Sequence, residues 1–83
     1  MYWNFRLVRM ADERWPEEVY VEMREVYYNE DNEPCAHSST TLCGDNNEEI
    51  AEQLEKMRLA LGKPVLEANE FVGTFKNLDE EEV

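Results

Sequence analysis

The sequence predicts an α+β fold: a three-stranded antiparallel meander with one α-helix packed on one face and a C-terminal arm, as a single domain over residues 1–75. Three observations predict it. Residues 2–10 alternate with the two-residue period of a half-buried strand, Trp3, Phe5 and Leu7 on one face and Asn4, Arg6 and Val8 on the other. Two further stretches, 19–28 and 35–42, are strand-like in composition and bounded by polar turns. Residues 44–64 instead carry Ile50, Leu54, Met57 and Leu61 at i, i+4, i+7 and i+11, one narrow helical stripe that needs a surface to cover.

The elements follow in order. After the first strand, residues 11–17 form a polar connection with a pause at Trp15-Pro16. The second strand places Val19, Val21 and Met23 inward. Its period then slips, because Val26 and Tyr28 are better apolar candidates than Glu25, and a bulge near Arg24 and Glu25 repairs the pattern. A simple hairpin sets Leu7 opposite Val21 and Arg6 opposite Glu22, the latter an outward charge pair. Residues 29–34 are a turn in which Asp31 and Asn32 tolerate left-handed geometry. The third strand, rich in Ser and Thr, suits a sheet edge.

Helix boundaries are well signalled. Asp45, Asn46 and Asn47 offer N-caps, Glu48 and Glu49 an acidic first turn, and Gly62 with Pro64 a stop. Acids lead and Lys56, Arg58 and Lys63 follow, which opposes the helix dipole, and Glu52 with Lys56 forms an i, i+4 pair. If the stripe is buried, Leu54→Asp costs several kcal/mol, on the order of the whole stability of so small a domain. Residues 71–75 are read as a short fourth strand or an arm, and residues 76–83 as a disordered acidic tail.

Composition bounds the function. A chain of 83 residues is near the lower limit for burying its own core, so a homo-oligomer, a dimer or larger, is expected to complete it. The apolar share of 42% argues against a disordered chain. Net charge is −12, from 20 acidic and 8 basic residues, and residues 1–11 hold two arginines and no acid. Such a surface repels phosphates and anionic lipids, so neither direct nucleic-acid binding nor membrane binding is expected. Arg6 and Arg9 interrupt the opening segment, no stretch approaches a membrane span, and a cytoplasmic protein is expected. Cys35 and Cys43 suit that compartment as free thiols.

Candidate chemistry is sparse. The single histidine stands in Cys35-x-His37-x5-Cys43. On a strand, Cys35 and His37 share a face, but structural zinc wants four N or S ligands, commonly with a C-x2–4-C knuckle, and Asp45 is a weak fourth donor. A polar edge-strand histidine explains His37 without a metal. Nucleophilic catalysis would have to combine His37 with Cys35, Ser38, Ser39 or Cys43, and nothing marks these as other than strand positions. Gly44, Gly62 and Gly73 are too widely spaced for a phosphate loop. Tyr2, Trp3, Phe5, Tyr20, Tyr27 and Tyr28 lack the basic residues of a base-stacking platform, so core packing or a protein interface is the expected use. No catalytic, cofactor or metal residue is expected.

Two resemblances attach to particular residues. Gly44-Asp45-Asn46-Asn47-Glu48-Glu49-Ile50-Ala51, after strands, resembles the strand-to-helix passage of HicB-type antitoxins, with their Gly-Asp-Thr-x-Glu-Glu-Ala pattern. The chain lacks that family's preceding Pro-Asp-x-Pro-Gly segment. Residues 20–32 (Tyr-Val-Glu-Met-Arg-Glu-Val-Tyr-Tyr-Asn-Glu-Asp-Asn) and 61–66 (Leu-Gly-Lys-Pro-Val-Leu) resemble a class of small bacterial and phage proteins of strand-strand-strand-helix type. The first resemblance implies toxin binding; the second implies no activity.

The expectation is therefore a non-enzymatic acidic regulatory or adaptor protein acting by protein–protein contact, its partner basic. The alternatives are a phage-encoded inhibitor that imitates nucleic acid and a HicB-like antitoxin component.

Overall fold

The computed structural model describes residues 2–11, 14, 15, 17–73 and 77–80. Three strands, β1 (Tyr2–Ala11), β2 (Val19–Tyr28) and β3 (Pro34–Ser39), form an antiparallel sheet in the order β1-β2-β3. One α-helix, α1 (Asn47–Ala60), follows, and then two single-turn 3-10 helices at Ala68–Glu70 and Leu78–Glu80. The expected α+β class, meander and C-terminal arm are all present.

Local chemistry explains the boundaries. Asn29 accepts from the Asp31 and Glu33 backbones at 2.9 and 3.0 Å through Oδ1, and Asn32 takes a left-handed φ of 62°. That closes the β2–β3 turn with a residue suited to it. Asn46 caps α1, its Oδ1 accepting from the Glu49 amide at 3.0 Å, while Glu49 reaches back to the Asp45 amide at 2.9 Å. One N–H group left over at the helix start and the amide just before the cap are thereby satisfied. The expected Glu52–Lys56 pair does not form; Arg58 pairs instead with Glu55, at 2.7 Å.

The β1–β2 register runs unbroken, with Leu7 opposite Met23 and Arg6 opposite Arg24, two residues from the expected pairing. A shift of two keeps every side chain on its face. What it gains is an aromatic end: Tyr2 stacks on Tyr28 at 4.6 Å, and Trp3 lies beside Tyr27. No bulge interrupts β2 against β1 at Arg24. The irregularity lies in the pairing with β3, where Cys35 is the extra residue beside Tyr27 and Tyr28.

The core lies on the face that looks polar in β1. Val8, Val26 and Tyr28 are buried there, together with Leu66 and Phe71 from the C-terminal segment. That segment crosses the face from one edge of the sheet to the other. Leu66 bridges Val8 outside β1, with Leu66 N–H to the Leu7 carbonyl and Arg9 N–H to the Leu66 carbonyl, both 2.9 Å. Val72 N–H then reaches the Pro34 carbonyl at 2.9 Å, and Asn77 bridges His37 outside β3. Residues 77–80 lie against β3 through the Asn77 bridge and Asp79; residues 76 and 81–83, the rest of the stretch read as an acidic tail, lie outside the described residues. Of 71–75, Phe71 and Val72 belong to this strap and the described residues 71–73 form no strand, while residues 74 and 75 lie outside the described residues.

The helix meets the sheet at β1 through its last turn, where Ala60 is its one buried residue among those described. Its stripe is only half covered: Ile50 and Met57 are partly buried, whereas Leu54 is 50% and Leu61 64% exposed, and the strap supplies the main apolar cover on the other face. Leu54→Asp should therefore cost less than about 1 kcal/mol, chiefly lost helix propensity, in urea denaturation. A loss of several kcal/mol would place the stripe in the core.

Candidate interaction surface

His37 is buried, 6% exposed, not a polar histidine at an open edge as its sequence neighbours suggest. The reason is its partner. Val26 sits opposite on β2, Phe71 packs on the imidazole at 4.8 Å, and Arg24, only 3% exposed, donates from Nε to His37 Nδ1 at 3.1 Å. The guanidinium spends its remaining donors on Glu22 (2.6 Å), Asp79 (2.7 Å) and the Asn77 Oδ1 (2.9 Å). Asp79 also accepts from the Ser39 amide, at 2.9 and 3.1 Å. Arg24 is thus a pin that holds the end of the strap to β2 and β3, with a fork geometry suited to several acceptors at once.

Accepting from Arg24 fixes His37 as the neutral tautomer with its proton on Nε2. Its pKa is lowered from 6.5 to about 4, chiefly by burial and then by the adjacent Arg24 charge, which outweigh Asp79 and Glu22. For Asp79, desolvation acts upward but is outweighed by the Ser39 amide and the Arg24 guanidinium, so its pKa is lowered. The sign for stability follows. Between about 6.5 and about 4 the unfolded chain binds a proton at His37 that the folded chain refuses. Stability should fall as pH drops through that window, by up to about 3 kcal/mol, and Asp79 adds a further loss below it. Urea midpoints measured against pH check this, since His37→Gln keeps an acceptor for Arg24 and should remove the slope. An equal slope in the variant would assign it to another group.

The residues that share the Cys35–Cys43 segment are not brought together. Cys35 is half-buried with Sγ directed to the Tyr27 carbonyl, at 3.4 Å, and Cys43 is an exposed free thiol beyond β3. Ser38 faces the other side of the sheet, its Oγ 3.3 Å from the Tyr27 hydroxyl, and Ser39 is engaged by Asp79 through its backbone. Asp45 is exposed at the start of α1. Among the described residues no group of three His, Cys, Asp or Glu side chains is placed to hold a metal ion, and no helix is long and apolar enough to cross a membrane.

A different feature stands open. β3 pairs only with Arg24 to Tyr28, whereas β2 pairs with β1 along its full length. The half of β2 from Val19 to Met23 therefore projects past β3 with no third strand beside it among the described residues. Strand geometry says which backbone groups are open. Leu7 and Arg9 direct theirs away from β2, so the even-numbered residues of β2 bond β1 and its odd-numbered residues face the β3 side. The N–H and C=O groups of Val19 and Val21, with the Met23 N–H, consequently line an open edge about 14 Å long, while the Arg24–Ser39 pairing engages the Met23 carbonyl. Side chains around it are apolar and exposed: Val19 55%, Tyr20 46%, Val21 41%, with Trp15 beside them in the chain.

Val19 and Val21, expected to point into the core, are instead exposed. The burial pattern changes at Arg24 because the strap covers only the other half of the hairpin, and the apparent slip in period marks that border. Arg24 itself was the residue missed, and its one local sign is standing in phase with Val26 and Tyr28.

A small α+β protein with an unpaired apolar strand edge is the class that fold and surface define. Comparison with protein-family models, curated proteins and solved structures finds no match to this chain.

Proposed function

We propose that this chain is a non-enzymatic binding module that takes up a partner protein by strand addition along the open edge of β2. The observation that carries the reading is the projection of Val19–Met23 beyond β3, with the outward main-chain groups of Val19 and Val21 unpaired among the described residues and Val19, Tyr20 and Val21 exposed around them. Strand addition draws affinity from main-chain bonds and specificity from alternate side chains, and this edge supplies both. Long exposed apolar edges are usually blunted by charge or proline, because they otherwise pair indiscriminately. Here the charge is supplied by the rest of the molecule. At a net −12 two copies repel one another, while a basic partner is drawn in, so the acidic surface selects the partner and speeds encounter.

Val21→Pro tests this directly. It removes one N–H from the open edge and leaves the β1 pairing intact, a place where proline is tolerated. Partners captured by the parent from the lysate of its native host should be lost by Val21→Pro, with the thermal transition of the variant checked beside it. Val19→Ser, which keeps the backbone, should weaken the same capture. Association of a captured partner should slow as ionic strength rises, with little change in dissociation. Retention of every partner by Val21→Pro, or association indifferent to salt, would overturn the reading. Sedimentation of the parent alone reads whether the edge pairs two copies instead.

A further inference from the structure

A groove of about 390 Å³ lies between the start of β1 and the last turn of α1, far along the chain from the open edge of β2. Its apolar lining is Trp3, Phe5, Leu59 and Ala60, with the Trp3 and Phe5 rings edge-to-face at 5.2 Å. Lys56 and Lys63 line it as well, two of the three lysines in the chain. In a molecule with 20 acids to 8 bases, a lysine ordinarily finds a carboxylate. Arg9, Arg24 and Arg58 do, pairing with Glu67, with Glu22 and Asp79, and with Glu55. Neither groove lysine has an ion pair among the described residues. A second set of donors borders the same space. Trp3 and Phe5 stand in phase with Leu7 and Arg9, so their N–H groups point off the outer edge of β1, and no backbone partner meets them there among the described residues.

We infer that this groove binds a small aromatic carboxylate, its ring against Trp3 and Phe5 and its carboxylate between the Lys56 and Lys63 ammonium groups. The volume falls at the lower end of small-molecule sites, which combine an apolar lining with a few convergent polar groups. The lysines supply charge where the surrounding surface has the opposite sign, so discrimination rests on the head group. A neutral ligand of the same shape gains only the apolar contact.

The probes are 1-naphthoate and its uncharged analogue naphthalene-1-carboxamide, titrated into the isotopically labelled full chain and followed by amide chemical shifts. Naphthoate should saturate, with perturbations centred on Trp3, Phe5, Leu59 and Ala60, and should bind roughly tenfold more tightly than the carboxamide. The double variant Lys56→Ala/Lys63→Ala should remove that preference without moving the carboxamide affinity, and Lys56→Arg/Lys63→Arg should restore it. Val21→Pro, which tests the β2 edge, should leave naphthoate binding unchanged. Failure of naphthoate to saturate, perturbations centred elsewhere, or equal affinity for the two probes would overturn the assignment.

Discussion

Arg24→Ala is expected to destabilise the fold by about 2–4 kcal/mol in urea denaturation. Removing one partner of a buried ionic cluster typically costs about 3–5 kcal/mol, because the groups left behind lose their compensation. Here the cost is reduced: the Glu22 and Asp79 side chains are each 37% exposed and recover water when the guanidinium is gone. His37 does not recover it, since Phe71 and the sheet still enclose it and its Nδ1 is left without a donor. A domain of this size has a total stability of about 4–12 kcal/mol, so the variant stands close to unfolding. Hydrogen exchange supplies the second readout. The Ser39 and Asp79 amides should lose protection before the β1–β2 amides do, because Arg24 ties the strap end to the sheet. An unchanged midpoint would show that the cluster merely decorates the surface.

Phe71→Ala is expected to cost about 3–5 kcal/mol and to lower Tm by more than about 10 °C. The ring is 3% exposed and packs with Val8, Val26, Tyr28 and Leu66, on the face that the helix does not cover. Its removal leaves a cavity beneath the strap, bounded by strands that cannot collapse to fill it. Set beside the near-neutral result expected for Leu54→Asp, it identifies which layer completes the core. Scanning calorimetry of the two variants in one buffer decides between them. A larger loss for Leu54→Asp than for Phe71→Ala would return the core to the helix side.

The local elements were legible because their signals are local. The turn at residues 29–33 needs only an Asx side chain and a residue that accepts positive φ, and Asn29 and Asn32 supply them. Asn46, Glu49 and the acidic first turn of α1 place its start to within a residue, and alternation in 2–10 is enough for a strand. The free state of Cys35 and Cys43 was legible as well. Burial was not. An amphipathic stripe says that a face is apolar, and not that anything comes to cover it, so Leu54 and Leu61 stay exposed while Leu66 and Phe71 complete the main core instead. The same long-range choice buried Arg24 and His37 and left Val19 and Val21 open. Each is decided by contacts 13 to 55 residues away in sequence, such as Arg24 with His37 and with Asp79.

The order and type of the elements therefore belong to the sequence by itself, since periodicity, caps and turn residues act within a few positions along the chain. Which face of the sheet becomes the core, which half of β2 stays unpaired, and which lysines border the groove belong to tertiary structure alone. The physical reason is that both faces of this sheet carry apolar side chains. The strap, pinned by Arg24 at one end and by Leu66 at the other, decides which face carries the main buried cluster, while the other face buries only Phe5 and Ala36 among its described strand residues.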